Sequence, residues 1–83
     1  MAFDLAAHLR EGMRNVKWSA SDLWAASVGI GAYMANSDVE RITNGRQKPS
    51  PIVYDVLASA LNERLSEIGQ DHPIRYWSDL PAT

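Results

Sequence analysis

The sequence predicts an all-α, compact domain of four to five short helices, and three observations support that prediction. Apolar residues recur at spacings of three and four, which is the period of one helix face, and no stretch alternates as a strand would. Helix-start residues such as serine and aspartate alternate with glycine stops along the chain. Hydrophobic residues make up 46% of the 83 residues, which is enough for one domain with a small core.

The first two helices are predicted from apolar spacing and from cap residues. Residues 4–16 form the first helix, because four of their apolar side chains share one face: Leu5, Leu9, Met13 and Val16. The second helix runs from Ala20 to Val28. Ser19 and Asp22 precede its apolar residues at the spacing of a capping box, and Gly29 and Gly31 close it.

The third helix has two alternative starting points. Ser37 and Glu40 have the spacing of a capping box, which favours a start at Ser37 and leaves residues 29–36 as the connection. The alternative is a start near Ala32, since Ala32 has helical spacing with the apolar residues that follow it. Asn44-Gly45 ends the helix in either case, because glycine accepts the left-handed conformation needed there.

The fourth helix is predicted from Pro51 to about Ile68, with Ser50 as its N-cap and Gly69 as its stop. Residues 70–83 then form a loop that is too apolar for a free tail. We expect it to dock through four side chains: Ile74, Tyr76, Trp77 and Leu80. The chain is therefore divided into a helical domain, residues 1–69, and a C-terminal tail, residues 70–83.

Charge is unevenly distributed along the chain, although the net charge is −2. Residues 41–48 hold three cations and no acid, whereas residues 55–71 hold four acids and one arginine. One surface can therefore be positive on an acidic protein. A short capped helix followed by a cationic loop can enter a nucleic-acid groove and bind the phosphates beside it.

Neither a catalytic centre nor a metal site is expected from the sequence. The chain has no cysteine, its two histidines lack partners at ligand spacing, and its serines have no base to activate them. We therefore expect no enzyme, no cofactor and no small-molecule ligand. No signal-peptide pattern is present and no run approaches about 20 apolar residues, so the sequence favours a cytoplasmic protein without a membrane partner.

Two stretches resemble the Cro/repressor-type, XRE-like helix-turn-helix family. Residues 18–23, Trp-Ser-Ala-Ser-Asp-Leu, are similar to the entry into its second helix, and Gly29-Ile30 is similar to its turn. Residues 37–50, Ser-Asp-Val-Glu-Arg-Ile-Thr-Asn-Gly-Arg-Gln-Lys-Pro-Ser, are similar to its recognition helix and the following loop, and residues 53–61 to its next helix. The resemblance covers about residues 5–65. It implies a lambda-repressor-like fold and a sequence-specific transcriptional regulator that occupies an operator on double-stranded DNA, as a homodimer.

The chain departs from the family pattern in three places. Its turn is longer than the usual three or four residues by about five residues. Ala20 replaces a glutamine that often touches the DNA backbone, so the resemblance does not carry that contact over. Trp24 replaces a preferred alanine, so the second helix must pack differently, with the tryptophan beside the inserted segment.

The resemblance and the side-chain chemistry assign DNA contacts to two groups of residues. Base-reading candidates lie on the third helix: Asn36, Ser37, Asp38 and Arg41. Arg41 leads them because a guanidinium can bind both acceptors of guanine, although it could instead pair with Asp38 or Glu40. Ser37 and Asp38 could act only as capping groups. Phosphate-binding candidates are Lys17, Ser19, Asn44, Arg46 and Lys48.

Two alternatives remain open at the level of the whole chain. The apolar side chains of the tail either cover the core of their own domain or form half of a dimer contact. The chain could also be a protein-interaction module that keeps the helix-turn-helix fold without binding DNA. The net charge and the presence of Asp38, Glu40 and Ala20 favour that second reading.

Overall fold

Four α-helices and one short 3-10 helix follow one another in the computed structural model, which describes residues 3–31 and 34–81. The α-helices are α1 (Leu5–Val16), α2 (Ala20–Ile30), α3 (Asn36–Thr43) and α4 (Pro51–Glu67), and the 3-10 helix is Trp77–Asp79. No strand occurs in the described ranges, which confirms the all-α prediction. The Cα radius of gyration is 11.6 Å, close to the value of about 12 Å expected for a folded domain of this length.

Local cap signals set several of the helix ends as predicted. The Ser19–Asp22 capping box is present: the Asp22 amide donates to the Ser19 hydroxyl at 3.2 Å, and the Ser19 amide donates to the Asp22 carboxylate at 2.9 Å. The Ser50 hydroxyl accepts from the Val53 amide at 3.3 Å, as expected of an N-cap. Gly45 follows α3 with a left-handed φ of 77°.

The bounds of α1 and α2 differ slightly from the predicted ones. Asp4 is the N-cap of α1 and not its first residue, since its carboxylate accepts from the Ala7 amide at 3.0 Å. Gly29 lies within α2, which continues to Ile30. Gly31 alone ends the helix, with a left-handed φ of 102°.

The predicted Ser37–Glu40 capping box is wrong. The helix begins at Asn36, and the Asp38 carboxylate accepts from the Ala35 amide at 3.1 Å. Because Asp38 satisfies this amide from inside the helix, a serine at the cap position is not needed, and Ser37 lies in the first turn.

The connection before α3 is fixed by a contact that comes from another helix. The indole nitrogen of Trp24 donates to the Met34 carbonyl at 2.8 Å, so Trp24 does lie beside the connecting segment. The connection spans residues 31–35 and is shorter than the predicted 29–36. Ala32, the alternative helix start, lies outside the described residues, and Ala35 is extended.

The core lies where the four helices meet. α2 packs against α3 and α4, and α1 packs against α3 and α4. Among the described residues, nine hydrophobic side chains are almost completely buried there: Leu9, Leu23, Val39, Ile42, Tyr54, Leu57, Ala58, Leu61 and Leu65. The Arg10 guanidinium also donates to the Thr43 carbonyl at 2.6 Å, which ties α1 to the last turn of α3. These contacts fix α3 through its apolar face and its end, and leave its start on the surface.

The tail docks on its own chain, against α1 and α4. Ile74 is only 3% exposed, Trp77 and Leu80 pack against the core, and Tyr76 remains 38% exposed. The predicted loop is partly regular, because residues 77–79 form the 3-10 helix. The last two residues of the predicted tail, Ala82 and Thr83, lie outside the described residues.

Side chains of α1 and α4 hold the backbone of the tail. Asn62 accepts from the Ile74 amide at 2.6 Å and donates to the Ile74 carbonyl at 2.9 Å. The other bonds are Tyr54 hydroxyl to Arg75 carbonyl at 2.6 Å, Arg75 amide to His8 Nε2 at 3.0 Å, and Trp77 amide to Asp55 carboxylate at 2.7 Å. Burial lowers the pKa of His8, which favours the neutral ring that accepts this bond. Burial likewise raises the pKa of Tyr54 to about 12, so its hydroxyl stays a donor.

Candidate nucleic-acid interface

The starts of α2 and α3 lie side by side on the surface. The Asn36 side-chain amide donates to the Ser21 hydroxyl at 3.1 Å, which joins the first residue of α3 to the first turn of α2. Both side chains are exposed, as is Ser37. The positive ends of two helix dipoles therefore face the same region of solvent.

Arg41 lies on α3 within reach of two partners. Its guanidinium donates to the Asp38 carboxylate at 2.7 Å and to the Gln47 side-chain carbonyl at 2.9 Å. Its side chain is nevertheless 50% exposed. Of the two ion pairs considered for Arg41, the one with Asp38 is present, and the guanidinium is held at the surface by these contacts.

Asp38 places one negative charge among the candidate contacts. The Ala35 amide, and next the Arg41 guanidinium, hold the pKa of this carboxyl below its ordinary value. Asp38 is therefore ionised at neutral pH and acts both as a capping group and as the partner of Arg41. A base contact by Arg41 requires that the base replace the Asp38 carboxylate.

The loop after α3 presents two cations without acidic partners. Arg46 and Lys48 are exposed, and no described carboxylate lies within ion-pair distance of either. The Arg46 amide donates to the Arg41 carbonyl at 2.8 Å, which folds the loop back on the end of α3. Asn44 is the C-cap of the helix, and it too is exposed. The three candidates therefore lie on a short, anchored segment.

The two phosphate-binding candidates before α2, Lys17 and Ser19, differ in whether their polar groups are free to bind. Lys17 is exposed and ends α1 with a left-handed φ of 60°. The Ser19 hydroxyl and amide are both engaged with Asp22 in the capping box. Ser19 is consequently a structural cap in this structure, whereas Lys17 has a free ammonium among the described residues.

Sequence reasoning missed two residues of this region, Ser21 and Gln47. Ser21 positions Asn36, and Gln47 positions Arg41. Both lie inside the stretches that carry the family resemblance, so their location was visible in the sequence. Their partners were not, because these are set by packing between elements.

Two of the tail candidates, Trp77 and Leu80, line a groove together with Arg46 and Lys48, whereas Ile74 does not line it. Ile74 is enclosed between α1 and α4, and the backbone of its neighbours is bonded to those helices. The described residues contain no group of three or more potential metal ligands, and none of their helices is long and apolar enough to cross a membrane.

Comparison with protein-family models, with curated proteins and with solved structures finds no match to this chain.

Proposed function

We propose that the protein is a sequence-specific, double-stranded DNA-binding regulator of the helix-turn-helix type, with a lambda-repressor-like arrangement of α2 and α3. One observation carries the proposal: the exposed start of α3 and the loop after it form one continuous surface segment. This segment holds Arg41 and also Arg46 and Lys48, which have no described carboxylate within ion-pair distance. The Asn36–Ser21 bond places the start of α2 beside it.

The roles follow from the side chains. α3 enters the major groove with its start towards the bases, where Asn36, Ser37 and Arg41 contact base edges. Arg46 and Lys48 bind the phosphates that flank the groove, and Lys17 binds a phosphate near the start of α2. Occupancy of an operator by a cytoplasmic homodimer then regulates transcription.

The test is a salt titration of binding to random-sequence duplex DNA. Arg46→Ala and Lys48→Ala should each weaken binding to every sequence alike and reduce the slope of log affinity against log salt by about 1. Arg64→Ala is the matched control, because it removes one exposed cation from α4, whose partner is Glu67. If the unmodified protein and the three variants gave equal slopes of log affinity against log salt, the loop would not bind phosphates.

A second candidate function is a protein-interaction module with the same fold. The ion pair between Arg41 and Asp38 favours it, because it engages the leading base-reading side chain. The same titration separates the two functions. An interaction module would show no measurable affinity for duplex DNA at low salt, whereas a DNA-binding protein would bind and weaken steeply as salt rises.

A further inference from the structure

A groove of about 750 Å³ lies next to the basic loop. The start of α1 forms one wall, residues 45–49 form a second, and the 3-10 helix with the residues after it forms a third. Its apolar lining includes Phe3, Leu5, Pro49, Trp77 and Leu80. This volume lies within the range of about 300–1,000 Å³ that small-molecule sites occupy.

Two of the three charged side chains that line the groove are positive. Arg46 and Lys48 line it, and no described carboxylate pairs with either of them. Asp4 is the acid of the lining, and its carboxylate is engaged by the Ala7 amide as the cap of α1. An apolar body with an anionic head therefore matches the walls and the free cations.

The walls are held in place by bonds to the core. The Trp77 amide donates to Asp55, and the Trp77 ring meets the Tyr54 ring edge-on with centroids 5.8 Å apart. The loop wall is anchored through the Arg46 amide, which donates to the Arg41 carbonyl. A ligand would thus enter a preformed site and would not have to order a loose segment, which favours affinity.

We propose that this groove binds an anionic amphiphile, a small carboxylate with an aliphatic or aromatic body. The carboxylate lies at Arg46 and Lys48, and the body lies against Leu5, Trp77 and Leu80. Such a site goes beyond DNA binding, and it departs from the sequence-based expectation that the chain has no small-molecule ligand.

The test follows amide chemical shifts by NMR while octanoate is added, with 1-octanol as the neutral probe of equal chain length. Octanoate should give saturable shifts at the residues that line the groove, and 1-octanol should bind about tenfold more weakly, since it lacks the charge-assisted hydrogen bonds. Arg46→Gln and Lys48→Gln should each weaken octanoate binding several-fold and leave 1-octanol unchanged.

Arg64→Gln serves as the matched control, because Arg64 does not line this groove. It should bind octanoate as the unmodified protein does. Equal affinity for the two probes, unchanged octanoate affinity in the Arg46 and Lys48 variants, or shifts scattered outside the groove would each overturn the proposal. The measurement contains no DNA, so its outcome is independent of the proposed function.

A consequence for regulation rests on the proposed function. The same two cations would contact phosphates and ligand, so octanoate should lower the affinity for duplex DNA relative to acetate at equal ionic strength. If octanoate fills the groove and DNA affinity does not change, the ligand site stands and the coupling to DNA is refuted. If the protein binds no DNA at all, the groove titration still decides the ligand site.

Discussion

Arg41 is engaged before any DNA is present, and the strength of that engagement decides whether it can read a base. Its ion pair with Asp38 is half-exposed, and exposed pairs of this kind contribute about 0–1 kcal/mol. A bidentate contact with guanine contributes about 1–3 kcal/mol of discrimination. Under the proposed function, exchange of Asp38 for a base is therefore favourable, and the bonds to Asp38 and Gln47 pre-orient the guanidinium at the surface.

The substitution Asp38→Asn tests whether this carboxylate opposes phosphate binding. Asparagine keeps an oxygen that can accept from the Ala35 amide, so the helix start is preserved while one negative charge is removed. We expect the affinity for random-sequence duplex to rise by about two- to fivefold at low salt, because a repulsive charge near the phosphates is lost.

Glu67→Gln provides the control for that experiment, since it removes an exposed acid that pairs with Arg64 on α4. Its affinity should match the unmodified protein. Weaker binding of the Asp38 variant to random duplex would contradict the assigned position of this side chain in the interface.

At the scale of the elements, the tail explains why a glycine, Gly12, lies in the interior of α1. A Cβ atom on Gly12 would lie 2.6 Å from the Ile74 Cδ1 atom, so the glycine makes room for the tail on α1. Glycine within a helix costs about 1 kcal/mol relative to alanine. Burial of one isoleucine side chain contributes about 1.5–3 kcal/mol, which exceeds that cost.

Asn62→Ala tests how strongly the tail is held. The variant leaves the Ile74 amide and carbonyl without their side-chain partner, and we expect the free energy of unfolding to fall by about 1–3 kcal/mol. Glu63→Ala, at the adjacent exposed position, should change it far less. Urea unfolding gives the stability, and faster hydrogen exchange at Ile74 and Arg75 would locate the effect in the tail; unchanged exchange there would contradict it.

The helix ends that could be predicted are those set by neighbours in the sequence. The Ser19–Asp22 box, the Ser50 cap and the Gly45 stop each depend on residues within one turn, so the sequence contains the whole interaction. The start of α3 is set locally as well, but Ser37–Glu40 and Ala35–Asp38 have the same spacing, and the folded chain uses the second pair.

The contacts of the tail and one contact of the candidate site lie beyond such local reasoning. Asp38, three residues before Arg41 on the same helix, is a partner that the sequence itself offers, whereas only the folded loop brings Gln47 to the Arg41 guanidinium. His8 meets Arg75 across 67 positions of the chain, and nothing local in the sequence indicates that pair.

On the scale of the whole molecule, one side of the protein is covered by the tail and another is left exposed. The tail covers the side formed by α1 and α4, whereas the starts of α2 and α3 and the basic loop stay exposed. Ile74 is enclosed by its own chain, so a homodimer that used the tail would rely on the apolar side chains that stay accessible: Tyr76, which is 38% exposed, and Trp77 and Leu80, which line the groove. The surface left open carries Lys17, Arg46 and Lys48, and no described carboxylate lies within ion-pair distance of any of them.

That division makes one measurement decisive for the proposed function: amide chemical-shift mapping of the intact protein with a short random-sequence DNA duplex at low salt. The proposed function predicts perturbed amides at residues 36–41, at residues 45–48 and around Lys17–Ser21, with little change along α4 and the tail. Shifts confined to α4 and the tail, or no shifts at low salt where phosphate contacts are strongest, would contradict it.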